Sequence, residues 1–148
     1  MPPTVKVRRL SREAFLPEQM TPGAAGYDLR ACLPDEGRIE LPPGGRAAVP
    51  TGIALAIPDG YEGQIRPRSG LALRHGLSIP NAPGTIDADY RGEVRVILVN
   101  LGDAPVVIEH GQRIAQLVVA PVAPVRMVET EALPETERGA GGFGSTGL

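Results

Sequence analysis

The chain has 148 residues, 42% apolar but only 3% aromatic and with no tryptophan, which suits one domain with a core of Val, Ile, Leu and Ala. A net charge of −2 supplies no global basic field, so no nucleic-acid partner is expected and a small anion must be held by local arginines. The single cysteine, Cys32, excludes an internal disulfide, and His75 and His110 share no ligand spacing, so no protein-held zinc site is expected.

The 19 Gly and 16 Pro are spread along the chain and punctuate many short strands. In order, strands are expected at Val5–Arg8, Tyr27–Cys32, Arg38–Leu41, Arg46–Val49, Gly52–Ile57 and Tyr61–Arg66. They continue at Leu77–Ile79, Glu93–Asn100, Val106–Ile108, Arg113–Pro121 and Val125–Glu129. Only Gly70–His75 reads as a helical turn or two. Strands at this spacing predict an all-β protein, an antiparallel sandwich or barrel. The pattern stops at Leu133, which divides the chain into a single β domain, residues 1–132, and a Gly-rich arm, residues 133–148. The apolar run Ile114–Val125 is too short to span a membrane and contains Pro121 and Pro124, so a cytoplasmic protein with no membrane partner is expected.

Within Glu93–Asn100, Val94, Val96 and Leu98 share one face, and Ile97 and Val99 make the other apolar too. Burial on both faces is expected there, which in so small a chain points to a subunit interface.

Three segments carry more chemistry than a fold requires. Asn81–Glu93 crowds an amide, Asp87, Asp89, Tyr90 and three backbone-freeing residues, Pro83, Gly84 and Gly92, into one hairpin. In extended geometry Asp87 and Asp89 point the same way; ordinary turn chemistry is the simpler reading of both. Arg66–Ala72 sets Arg68, Ser69 and Gly70 at the start of the helical turn, either as an anion site or with Ser69 merely capping the helix. The tail Arg138–Gly147 has five glycines with Phe143, Ser145 and Thr146. It reads as a disordered terminus or as a loop that orders over a ligand. Asp28, an acid in an apolar strand, pairs with an arginine such as Arg113 or holds a metal through water.

Taken together these segments resemble the trimeric dUTPases. Five family motifs stand in order: Ala25–Ala31, Arg66–Ala72, Asn81–Gly92, Gly111–Gln116 and Arg138–Gly147. The resemblance implies a jelly-roll-like, β-clip fold with one short helix and a flexible C-terminal arm. It implies a homotrimer with three shared active sites, the arm closing over a neighbour's. The implied reaction is hydrolysis of dUTP to dUMP and pyrophosphate by in-line attack of water at the α-phosphorus. That chemistry keeps uracil out of DNA and supplies dUMP for thymidylate synthesis. Mg²⁺ is the implied cofactor, carried on the triphosphate.

The implied roles follow the motifs. Asp87 activates the water. Asn81, the backbone at Thr85 and Ile86, and the strand near Arg95 read uracil, and Tyr90 packs under the deoxyribose. Arg68, Ser69, Gly70 and Gln116 bind phosphates. Asp28 meets the Mg²⁺ hydration shell or supports the site electrostatically. Arg138, Ser145 and Thr146 clamp the γ end, Phe143 closes over the base, and Gly144 is a further substrate contact. A dCTP deaminase of the same fold is the alternative enzyme, but its deaminating glutamate falls where Ile97 stands here. An inactive dUTPase-like nucleotide-binding regulatory module is the alternative without catalysis.

Overall fold

Short runs of β-branched and leucine residues, each closed by a Gly- or Pro-bearing turn, pair as antiparallel ladders. A computed structural model describes residues 1–35 and 37–147; Leu148, the end of the expected arm, lies outside the described residues. Among these the strands are β1 (Lys6–Arg9), β2 (Tyr27–Arg30), β3 (Arg38–Leu41), β4 (Arg46–Ala56) and β5 (Tyr61–Arg66). The helix α1 (Ser69–His75) precedes β6 (Leu77–Ser78), β7 (Gly84–Ile86), β8 (Glu93–Asn100), β9 (Val106–Glu109) and β10 (Arg113–Pro121). The sheets run β1-β4-β8-β6 and β2-β10-β5-β7, with β3-β9 as a separate pair. The expected all-β, jelly-roll-like architecture is what forms. No helix among the described residues is long and apolar enough to cross a membrane.

The core is aliphatic, as the scarcity of aromatic residues requires. Val49, Ile53 and Leu55 of β4 and Val94, Val96 and Leu98 of β8 are each no more than 2% exposed. Burying each such side chain contributes roughly 1.5–3 kcal/mol, which makes the β4–β8 pair the rigid element from which the following loops are hung.

Three strands differ from expectation. Arg46–Val49 and Gly52–Ile57 are one strand, because Gly52 turns a bulge at φ 70° instead of ending the ladder. A side chain there would strike Cys32 Sγ at 2.8 Å and Ala14 Cβ at 2.9 Å. β7 was not expected; it pairs with β5, Gly84 opposite Ile65 and Ile86 opposite Gly63. Val125–Glu129 is not a strand. The backbone leaves the body after Val122 N–H donates to Gly60 O at 2.9 Å, and Val125, Met127 and Val128 stand 73%, 88% and 66% exposed. A strand needs a ladder partner, and this chain brings no sheet edge to that segment among the described residues.

The outer face of β8 also departs from the sequence reading. Ile97 is 37% exposed and Val99 is half-buried, so burial on both sides is not achieved within one chain.

Candidate active site

β10 draws the first, second and fourth motif segments together. Its Gln116 lies opposite Asp28 of β2 on one side and Arg66 of β5 on the other. Arg113 donates from Nη1 to Asp28 Oδ2 at 3.2 Å, and Arg68 Nε stands 3.7 Å from Asp28 Oδ1. Of the two sequence readings of Asp28, the arginine pair is the one seen. Its side chain is 12% exposed, a depth at which a carboxylate requires such partners. Arg68 also donates from Nη1 to the Arg113 carbonyl at 3.4 Å. The guanidinium has five N–H donors, so several stay free to meet an anion.

Gln116 is equally constrained. Its Nε2 donates to Pro67 O at 3.0 Å, and a Cβ on Gly26 would come within 2.6 Å of its Oε1. The glycine of the first motif is therefore the space into which the fourth motif's glutamine fits. One of the two amide hydrogens is used by Pro67, leaving the other available. Ser69 does not cap α1: the cap is Arg68, with no side-chain capping bond. Ser69 instead begins the helix, exposed beside Arg68.

The hairpin is carried by β7 on β5, so its base sits beside the strand that leads into Pro67 and Arg68. Asn81 and Thr85 are exposed, whereas the Ile86 side chain is in the core at 6% exposure. Only the backbone of Ile86 can face a ligand. Tyr90 N–H donates to Asp87 O at 3.1 Å, closing a turn across Ala88 and Asp89. This bend removes the extended alternation that would have aligned Asp87 with Asp89, and Asp87 is left exposed at its start.

Tyr90 is fixed from two sides. Its hydroxyl donates to Glu93 O at 2.8 Å, and a Cβ on Gly92 would meet Tyr90 Oη at 2.5 Å. Arg95 lies on the outer face of β8, opposite Pro50, with Nε 3.2 Å from Glu93 Oε1. Sequence reasoning missed Glu93, whose importance appears only when β4 is laid against β8.

The arm residues are not brought to these motifs. Arg138 Nε donates to Gly141 O at 2.8 Å and Ser145 N–H to Gly142 O at 3.0 Å, both bonds lying inside the arm. Phe143 is fully exposed at φ 51°, and Gly144, Ser145 and Thr146 are exposed. Two other groups are structural. His110 Nδ1 accepts from Leu33 N–H at 2.9 Å, with the ring 5.6 Å from that of Phe15. Burial pushes the Cys32 thiol up, partly offset by a bond to Ser11, which disfavours the reactive thiolate.

Comparison with known proteins gives the family. The dUTPase family model matches residues 12–147. A deoxyuridine 5'-triphosphate nucleotidohydrolase of Beijerinckia indica subsp. indica is 57% identical over 99% of this chain and 92% of its own length. A solved Staphylococcus bacteriophage 80alpha dUTPase mutant with dUpNHpp superposes with a TM-score of 0.89 at 29% identity, covering 98% of this chain and 99% of that one. A phage phi11 dUTPase mutant of S. aureus, solved to describe the coordination of a structural Mg(II) ion, gives 0.78 at 27%, over 87% and 97%. With the family model spanning all five motif segments, the chain belongs to the dUTPase family.

Proposed function

We propose that this protein hydrolyses dUTP to dUMP and pyrophosphate in the cytoplasm, as a homotrimer with shared sites. The observation that carries the reading is the hairpin. It presents an exposed carboxylate, Asp87, one turn away from a clamped ring, Tyr90.

In this reading Tyr90 lies under the deoxyribose, where a ribose 2′-hydroxyl has no room, and Asn81 with the backbone of Thr85 and Ile86 reads uracil. Asp87 takes a proton from the attacking water. Arg68, Ser69, Gly70 and the free amide hydrogen of Gln116 hold phosphate oxygens in line for displacement. Asp28 acts electrostatically, holding Arg68 and Arg113 in place. The exposed carboxylate of Asp87 and the Asp28 carboxylate, 12% exposed, are oxygen donors of the kind Mg²⁺ meets directly or through water, which suits a metal that would arrive with its nucleotide. Mg²⁺ typically keeps waters and phosphate oxygens as ligands, and on the triphosphate it neutralises charge.

The open outer face of β8 is assigned to the trimer interface. The arm, residues 133–148, is assigned to a neighbour's site, where Arg138, Ser145 and Thr146 meet the terminal phosphate, Phe143 covers the base and Gly144 is a further substrate contact.

A pyrophosphate-release assay with dUTP, dCTP and UTP tests the activity. Turnover of dUTP alone is expected, and Asp87→Asn should lower kcat by about 10²–10⁴-fold while dUTP binding persists. No release from dUTP, or ammonia release from dCTP, overturns the reading.

A further inference from the structure

β8 starts where its ladder with β4 is interrupted. Pro50 stands opposite Arg95 and Ala54 opposite Glu93, so Thr51, Gly52 and Ile53 pass a single residue, Val94. Backbone bonds cannot cross this gap in register, and two side chains cross it instead. Thr51 Oγ1 donates to Val94 O at 2.5 Å, and Gly52 N–H donates to Glu93 Oε2 at 3.0 Å.

Gly52 is a fixed point. It is buried, its carbonyl accepts from Leu10 N–H at 2.7 Å, and Cys32 and Ala14 crowd its α-carbon. The Glu93 carboxylate is thus tied to the interior, while the Glu93 carbonyl receives the Tyr90 hydroxyl at 2.8 Å. The second carboxylate contact, to Arg95, involves a guanidinium side chain 63% exposed and adds little. The link therefore runs from the Gly52 amide through one residue to the aromatic ring.

We infer that Glu93 is a positioning residue for sugar selectivity: anchored on the Gly52 amide, it fixes the carbonyl that holds Tyr90 and so sets discrimination against a 2′-hydroxyl. This rests on the reading of Tyr90 as the floor of the deoxyribose pocket. A ring free to tilt leaves room for the extra hydroxyl, so loosening the anchor raises turnover of UTP relative to dUTP.

The measurement is the ratio of kcat/KM for dUTP to that for UTP, taken on the full-length protein alongside Tm. Glu93→Ala is expected to lower the ratio about tenfold or more. Glu93→Gln keeps an oxygen for the Gly52 amide and should hold the ratio within about threefold of the parent protein. Glu93→Asp retains the charge but falls one methylene short, so it repeats the Glu93→Ala loss and serves if the alanine variant does not fold. Tyr90→Phe should lower the ratio too, and its effect should not add to that of Glu93→Ala, since both break one link. Ile108→Val, a core change on β9 at a residue that bonds neither Glu93 nor Tyr90, should lower Tm with the ratio intact. An unchanged ratio in Glu93→Ala or Glu93→Asp, with Tyr90→Phe impaired, overturns the inference while the Tyr90 reading stands. An unchanged ratio in both Tyr90→Phe and Tyr90→Ala overturns that reading and the inference with it.

Discussion

The Asp28 carboxylate lies between Arg113 at 3.2 Å and Arg68 at 3.7 Å. Without its charge, two guanidiniums would stand close together with nothing between them. Arg68 can face a phosphate because its other side is already held. Cys32 is buried and packs against Gly52. Its folded state holds the thiol proton more tightly than the ordinary value of 9.0 because of burial. Stability is therefore complete below that ordinary value and declines as pH rises through the raised one. Urea midpoints measured from neutral to alkaline pH should fall only at the alkaline end, and Cys32→Ser should flatten that fall. Iodoacetamide should label the thiol in urea and not in the native protein.

Among the elements, the arm and the hairpin differ in how they are held. The hairpin is strapped to β5 by a ladder and to β4 through Glu93. Among the described residues the arm, from Thr136 to Gly147, bonds only with itself. Ending the chain at Ala132 should leave Tm unchanged and cut dUTP turnover at least about a hundredfold, since positioning contacts are lost without any core contact. A truncated chain of full activity would remove the arm from the site.

Strands with strong alternation were legible in the sequence, as was the Asp28–Arg113 pair, because an acid in an apolar strand demands a cation. β7 was not, since Gly84-Thr85-Ile86 sits inside a turn-rich segment and is a strand only because β5 lies beside it. Val125–Glu129 was over-read, because its β-rich composition carries no information about a partner. The role of Glu93 was hidden for the same reason, as it depends on the bulge at Gly52.

For the whole molecule, the outer face of β8 is the decisive surface. Ile97, at 37% exposure beside the half-buried Val99, lies on the face that the proposed trimer would cover with another copy. If the proposed trimer with shared sites forms, Ile97→Lys should lower the mass seen by sedimentation from that of a trimer toward 15.5 kDa and reduce activity in parallel. A wild-type protein of single-chain mass would contradict the assembly.

The segment from Val122 to Glu137 is exposed throughout and has neither helix nor strand, and prolines at 124 and 134 stiffen it. Fully extended, such a tether reaches roughly 50 Å at about 3.1 Å per residue. A domain of this size has a radius of gyration of only about 14 Å. In the proposed trimer the arm could therefore cross a neighbouring copy entirely, and its local concentration at that site would be on the order of millimolar. A lid so tethered needs only weak intrinsic affinity to close, and weak affinity lets product leave quickly. The same sequence supplied as a free peptide should restore turnover to the truncated trimer only near millimolar concentrations.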